Sequence, residues 1–292
     1  MIKKIGVLSG LMTAGAIAVA AAVPASASQV GAASVTKAAT STRPAPGPSG
    51  SPAQYTAGAP GYGATDSSGF EQATETTTLV RDAGQFSSSY QPFITLENST
   101  SSTVTPEAEL IPTATSTSTP VDSWYPNGDA GSASPTSFFW IQPTPYPANS
   151  PCAGKTDPRG CFYAGETVTL TVYDNTSSGT AYMTIADHDN GDEYLASLPY
   201  STTTSGALTT AHLGDVWLAA YEGQAFTAPR RPEDLNSFTS VTLTDTSGRT
   251  RPLADWTHFE RIMTSGGTAN GNTEITPSPL SFDGKSFSLT VK

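Results

Sequence analysis

Charge is scarce in this chain. Only 13% of its 292 residues are Asp, Glu, Lys or Arg, and 14 basic residues face 25 acidic ones. So few cations exclude the basic footprint that phosphate backbones and anionic membranes require, so neither nucleic acid nor a membrane surface is an expected partner. Histidine is almost missing. His188, His212 and His258 are far apart in sequence and none stands in H-E-x-x-H, so a zinc centre is not expected. There is no P-loop and no G-x-G-x-x-G, which removes the common phosphate-cradling motifs. There is no G-x-S-x-G, which removes the α/β-hydrolase elbow. No cofactor is expected. Apolar runs long enough to span a bilayer, roughly 18 residues, are absent beyond the N-terminal 23 residues. No segment keeps a 3.6-residue apolar period over a helix length, so long amphipathic helices are absent as well.

What is present begins with "MIKKIGVLSGLMTAGAIAVAAAVPASAS". Lys3 and Lys4 precede an apolar run from Ile5 to Val23, and Ala25-Ser26-Ala27 fits a small-x-small cleavage pattern. Residues 1–27 therefore read as a signal peptide and the protein as secreted, extracellular and soluble. Cleavage before Ser28 leaves 12 basic against 25 acidic residues, a net charge of −13. The two cysteines, Cys152 and Cys161 in "PCAGKTDPRGC", suit a disulfide across a short turn-rich loop in an oxidising compartment. Such a bond would stabilise by about 2–3 kcal/mol on the loop-entropy view.

Residues 28–69 are rich in Ala, Ser, Thr, Gly and Pro and offer little apolar surface to bury, which predicts a disordered arm. From residue 70 to residue 292 strand patterns follow one another. "ETVTLTV" puts Val168, Leu170 and Val172 on one face and Thr167, Thr169 and Thr171 on the other. "SFTSVTLTD" does the same with Val241 and Leu243, and "KSFSLTVK" with Phe287, Leu289 and Val291. "SSSYQPFITLEN", "EAELIP", "SFFWIQ", "TAYMTIADH" and "DVWLAAYE" are further strands, separated by turn residues in "DNTSSG", "DNGD", "TDTSGR" and "FDGK". The expected fold is a single all-β domain, a two-sheet antiparallel β-sandwich. The acidic stretch "DHDNGDE" offers oxygens for Ca²⁺, but it departs from the EF-hand spacing, and a hairpin turn on Asn190-Gly191 with no metal is the favoured reading.

Four segments in order carry a family resemblance: "SFFWIQPTPYP", "AGETVTLTV", "DVWLAAYE" and "SPLSFDGKSFSLTVK". Over residues 137–292 the chain resembles the glutamic peptidases (eqolisins), secreted endopeptidases active at acid pH. The resemblance implies a concanavalin-like, glutamic-peptidase-like sandwich. It also implies a catalytic pair, a Glu that takes a proton from water and a Gln whose amide stabilises the oxyanion. On this sequence the Glu is Glu222, five residues after Trp217; the family's spacing of three falls on Ala220, and both offsets lie on one strand face. The Gln is Gln142 in "WIQP", with Gln91 in "SYQPF" as the other candidate. Phe139, Trp140 and Trp217, with Trp124, Tyr125 and Phe138, suit either a substrate groove or a core. The expected partner is a polypeptide substrate, met by a monomer. The competing function is a catalytically inactive relative that binds a peptide or a glycan through the same sheet.

Overall fold

Strict alternation of apolar and hydroxyl residues decides the architecture. The computed structural model describes residues 52–81, 90–98, 106–112, 123–129, 137–141, 162–175, 178–189, 191, 193–199, 207–217 and 235–292. All of them belong to one compact unit, Pro44–Lys292. The signal-like residues 1–27, both cysteines, Glu222 and Gln142 lie outside the described residues.

Apart from two 3-10 turns, the regular elements of the described residues are strands. In chain order they are β1 (Ala53–Thr56), β2 (Gly61–Thr65), β3 (Phe70–Thr78), β4 (Tyr90–Glu97), β5 (Glu107–Pro112) and β6 (Ser123–Asp129). Then come β7 (Ser137–Ile141), β8 (Phe162–Tyr163), β9 (Thr167–Asn175), β10 (Thr180–Asp187), β11 (Glu193–Pro199) and β12 (Thr210–Trp217). The last are β13 (Ser237–Asp245), β14 (Thr250–Pro252), β15 (Thr257–Thr264), β16 (Thr273–Pro277) and β17 (Phe287–Val291).

They form two sheets. The front sheet runs β1–β15–β2–β12–β4–β5–β6–β8. The back sheet runs β14–β13–β3–β9–β10–β11–β7. The β16–β17 hairpin joins them at one side, since β16 pairs with β15 and β17 with β13. Every pairing is antiparallel except β1 with β15. The all-β antiparallel sandwich is thus the fold of this chain.

The inner faces carry the apolar set. Val168, Leu170 and Val172 on β9, Val241 and Leu243 on β13, and Ile94 and Leu96 on β4 are all fully buried. Thr74, Thr76 and Thr78 on β3 stand opposite Thr171, Thr169 and Thr167 on β9, with hydroxyl contacts of 3.2, 2.7 and 3.2 Å. Such cross-strand pairs stabilise neighbouring strands by a few tenths of a kcal/mol each, up to about 1 kcal/mol. They explain the abundance of threonine on the solvent side of the back sheet. On β13 a bulge at Ser240, with φ of 53°, lets both Phe238 and Val241 face inward although they are three residues apart.

The expected arm boundary needs correction. Composition assigns residues 52–69 to the arm, yet they hold β1 and β2, and β2 sits inside the front sheet between β12 and β15. Tyr62 is 1% exposed and Ala64 is fully buried. The glycines here answer to packing. A Cβ on Gly63 would lie 2.1 Å from Phe259 Cζ, and one on Gly61 would lie 2.1 Å from the Leu213 carbonyl oxygen. Small residues that look like a flexible tether are the ones two close strands require.

The acidic stretch 187–193 joins β10 to β11 as a hairpin, with Ala186 opposite Glu193 and the Gly191 N–H donating to the Asp187 carbonyl at 3.1 Å.

Candidate active site

The front sheet has two faces. On β4 the alternation sends Ile94 and Leu96 into the core and Gln91, Phe93, Thr95 and Glu97 to the outer face. The register brings the outer-face residues of its neighbours alongside: Phe93 is opposite Glu109 of β5, and Glu109 is opposite Asn127 of β6. Three polar side chains from three adjacent strands therefore meet. Gln91 Nε2 donates to Glu109 Oε2 at 3.0 Å, and Asn127 Nδ2 donates to Glu109 Oε1 at 2.8 Å. Gln91 is 1% exposed and Glu109 6%. The Gln91 Oε1 atom is buried and has no protein partner. A carboxylate with an amide donor on each oxygen is fixed in orientation, and charge-assisted bonds of this kind are the strong ones.

A second cluster lies further along the same face. His212 of β12 stands opposite Thr95, and its Nε2 lies 3.1 Å from Glu97 Oε2. Burial, with the charge of Arg261 added, pushes His212 below its ordinary value against the pull of Glu97, so the ring is neutral near pH 7. Burial works against the Glu97 carboxylate too, but the hydrogen bond and charge of His212 and the charge of Arg261 outweigh it and hold Glu97 below its ordinary value. The Arg261 guanidinium lies 5.9 Å from the centre of the Phe93 ring. The outer face thus offers an oriented carboxylate, two amides, a neutral imidazole and an aromatic ring. That set can take a proton from water and donate to an oxyanion.

The sequence-derived candidates fall as follows. Glu222 and Gln142 lie outside the described residues. Trp217 ends β12, opposite Tyr90 and one step from Val216, which is opposite Gln91. Phe139 and Trp140 belong to β7 at the edge of the back sheet, opposite Leu195 and Tyr194. The register therefore puts Val216 opposite Gln91 and Trp217 on the alternate position, which shares its face with Leu213 and Asp215, and leaves Phe139 and Trp140 in the other sheet. Trp124, one of the six aromatics left open between groove and core, is core, at 1% exposure. Reasoning from sequence named Gln91 but passed over Glu109 and Asn127. The signal was the polar alternation within two short strands, Glu107 and Glu109 in "EAELIP" and Tyr125, Asn127 and Asp129 in "SWYPNGD".

No family model and no curated protein matches this chain. Among solved structures the chain is similar to scytalido-glutamic peptidase bound to a transition-state-analogue inhibitor, at 13% identity and a TM-score of 0.48, over 82% of this chain and 98% of that one. It is similar to SCP-B, a member of the eqolisin family in complex with the tripeptide Ala-Ile-His, at 13% identity, a TM-score of 0.46 and the same coverage. It is also similar to aspergilloglutamic peptidase from Aspergillus niger, at 11% identity and a TM-score of 0.38, over 70% of this chain and 99% of that one.

Proposed function

We propose that this protein is a secreted, acid-acting endopeptidase of the glutamic type, with Glu109 as general base and the Gln91 amide as oxyanion donor. The observation that carries the proposal is the 3.0 Å bond from Gln91 Nε2 to Glu109 Oε2 on the outer face of the front sheet. The sequence resemblance independently calls for one Glu and one Gln. Glu222 with Gln142 supplies the two residue types near the family's segments but off its spacing; Glu109 with Gln91 supplies them in contact, and the chemistry is assigned to the contacting pair.

The steps balance without a cofactor. Glu109 takes a proton from a water molecule as the water oxygen bonds to the scissile carbonyl carbon. The carbonyl oxygen becomes an oxyanion, and the Gln91 N–H turns from Glu109 to donate to it. The C–N bond then breaks, and the proton on Glu109 passes to the leaving amine. A free Glu titrates near 4.3, so the carboxylate form is available at mildly acid pH. A neutral amide donates at any pH, and Asn127 keeps the carboxylate aimed while Gln91 is engaged. Polypeptide enters along the outer face beside Phe93. The signal-like N-terminus and the excess of acidic residues suit secretion as a soluble monomer.

The test is hydrolysis of casein or a peptide library between pH 2 and 7, by the protein from Ser28 onward and by Glu109→Gln, Gln91→Ala and Glu222→Gln variants. Loss of a general base is expected to lower the rate about 10²–10⁴-fold in Glu109→Gln, and loss of an oxyanion donor about 10²–10³-fold in Gln91→Ala. If Glu222→Gln alone abolishes cleavage, the base is Glu222 and the assignment to Glu109 is wrong. If folded protein cleaves nothing at any pH, the protein is a binder and the endopeptidase reading is wrong.

A further inference from the structure

Glu75 occupies a position that the alternation of β3 reserves for the core. It faces inward between Ala73 and Thr77 and is fully buried. Its Oε2 accepts the Gly214 N–H at 3.1 Å across the space between the sheets, and its Oε1 is buried with no partner. Asp215, the next residue of β12, is also fully buried. Asp215 Oδ1 accepts Asn236 Nδ2 at 2.8 Å, and Oδ2 accepts the Asn236 N–H at 3.3 Å. The Gly214 and Asn236 donors carry no charge.

Among the described residues, nothing buried beside Glu75 supplies a cation. No lysine or arginine is among the buried residues of the described chain. On the strands packed against β3, the inward titratable groups are Asp215 on β12, Asp174 near the end of β9 and Asp245 at the end of β13. Asp245 is committed elsewhere, to Ser247 and to the Arg249 guanidinium at 2.7 Å. β4 presents Ile94 and Leu96 to this space, and from β2 the nearest titratable group is the Tyr62 hydroxyl, which donates to the Ser278 carbonyl at 2.9 Å. An ionised Glu75 would therefore meet a like charge, one backbone N–H and hydrocarbon.

We propose that Glu75 and Asp215 form a core carboxylate pair that keeps one proton between the sheets at neutral pH and makes the fold more stable in acid than in alkali. Burial first, and the charge of Asp215 second, push the Glu75 carboxyl well above its ordinary value, with only the Gly214 N–H pulling the other way. The proton sits on Oε1, the oxygen with no donor. In the unfolded chain Glu75 loses its proton near pH 4.3. Below that pH both states hold the proton and the pair adds no pH-dependent cost. Above it the folded state holds one proton more than the unfolded state, so the unfolding constant rises about tenfold per pH unit until the folded group also ionises. The device also lies behind the candidate site. Gly214 is opposite Phe93, and Val216, two residues on, is opposite Gln91, so Glu75 anchors the strand that flanks Gln91.

The experiment is urea unfolding of the protein from Ser28 onward at pH 4, 5.5, 7 and 8, beside Glu75→Gln, an uncharged isostere that still accepts the Gly214 N–H. The two proteins are expected to agree within about tenfold in unfolding constant at pH 4. The wild type should then lose stability relative to the variant as pH rises, with a gap of about 10²-fold by pH 7. Parallel pH profiles would overturn the proposal. Independently of any variant, the wild type at pH 7 should show the infrared carbonyl band of a protonated carboxyl group, and its absence would also overturn it. Neither readout depends on peptidase activity, so the proposal stands or falls apart from the assignment of Glu109.

Discussion

Glu109 is held by amides from both sides, and that arrangement tolerates little change. Replacing Asn127 by Asp puts a carboxyl group where an amide now donates to Glu109 Oε1 at 2.8 Å. At pH 7 two carboxylates would face each other with only Gln91 between charge and core. At pH 3 one of them holds a proton and donates the bond that Asn127 donated, as paired carboxyls do. Asn127→Asp is therefore expected to cost about 1–3 kcal/mol at pH 7 and distinctly less at pH 3, read from urea midpoints at the two pH values. An equal loss at both would mean that the Asn127 amide fills space and does not orient Glu109. Gly63 is constrained in another way. The Phe259 ring occupies the place of its missing side chain, and the same ring packs edge-on to His212 at 6.1 Å. Gly63→Val should displace Phe259 and cost about 1–3 kcal/mol as overpacking does, measurable as a drop in Tm. A variant as stable as the wild type would show that the ring has room to move.

At the scale of elements, alternation made the back sheet and the closing strand legible, because each pairs a clean apolar face with a hydroxyl face. β9 and β13 bury the residues their patterns select, and β17 buries Phe287 and Leu289 while leaving Val291 half-buried at its end. β1 and β2 were hidden because their informative residues are few. Only Tyr62 and Ala64 mark β2, among glycines whose role appears once β12 and Phe259 lie against them. The site was half legible for a related reason. Gln91 stood out in its strand, but its meeting with Glu109 depends on the pairing of β4 with β5, and pairing partners are not written in either strand alone. Truncation tests the corrected boundary. A chain starting at Pro52 keeps β1 and β2 and should fold with the stability of the longer protein. A chain starting at Asp66 loses β2, which hydrogen-bonds to both β12 and β15, and with it Tyr62. Burial of a large side chain is worth about 1.5–3 kcal/mol, and the exposed edges of β12 and β15 add an aggregation surface. The shorter chain should be insoluble or lack a cooperative thermal transition; if it folds normally, β2 is dispensable and the arm extends to residue 69 after all.

At the scale of the molecule, the two sheets are joined through one aromatic seam. Phe287 on β17 lies edge-on to Tyr62 of the front sheet at 5.0 Å and stacks on Phe238 of the back sheet at 4.9 Å. β17 itself is bonded to β16, which continues the front sheet, and to β13 of the back sheet. The seam thus couples burial in one sheet to burial in the other, which favours a single unfolding transition for the whole sandwich. Truncating Phe287 to Ala removes the shared ring and leaves a cavity against both sheets, at a cost of about 3–5 kcal/mol. For a domain of this size that lowers Tm by on the order of 10 °C. Phe287→Leu keeps most of the volume and should recover much of the loss, which separates packing from any effect on the strand's hydrogen bonds. Far-ultraviolet circular dichroism, which follows the strands, and tryptophan fluorescence, which follows Trp124 and Trp256 in the core, should give one midpoint in the wild type. In Phe287→Ala both midpoints should fall together if the seam only adds stability. If they separate, the two sheets have become independent, and the ring is then what makes them one cooperative unit.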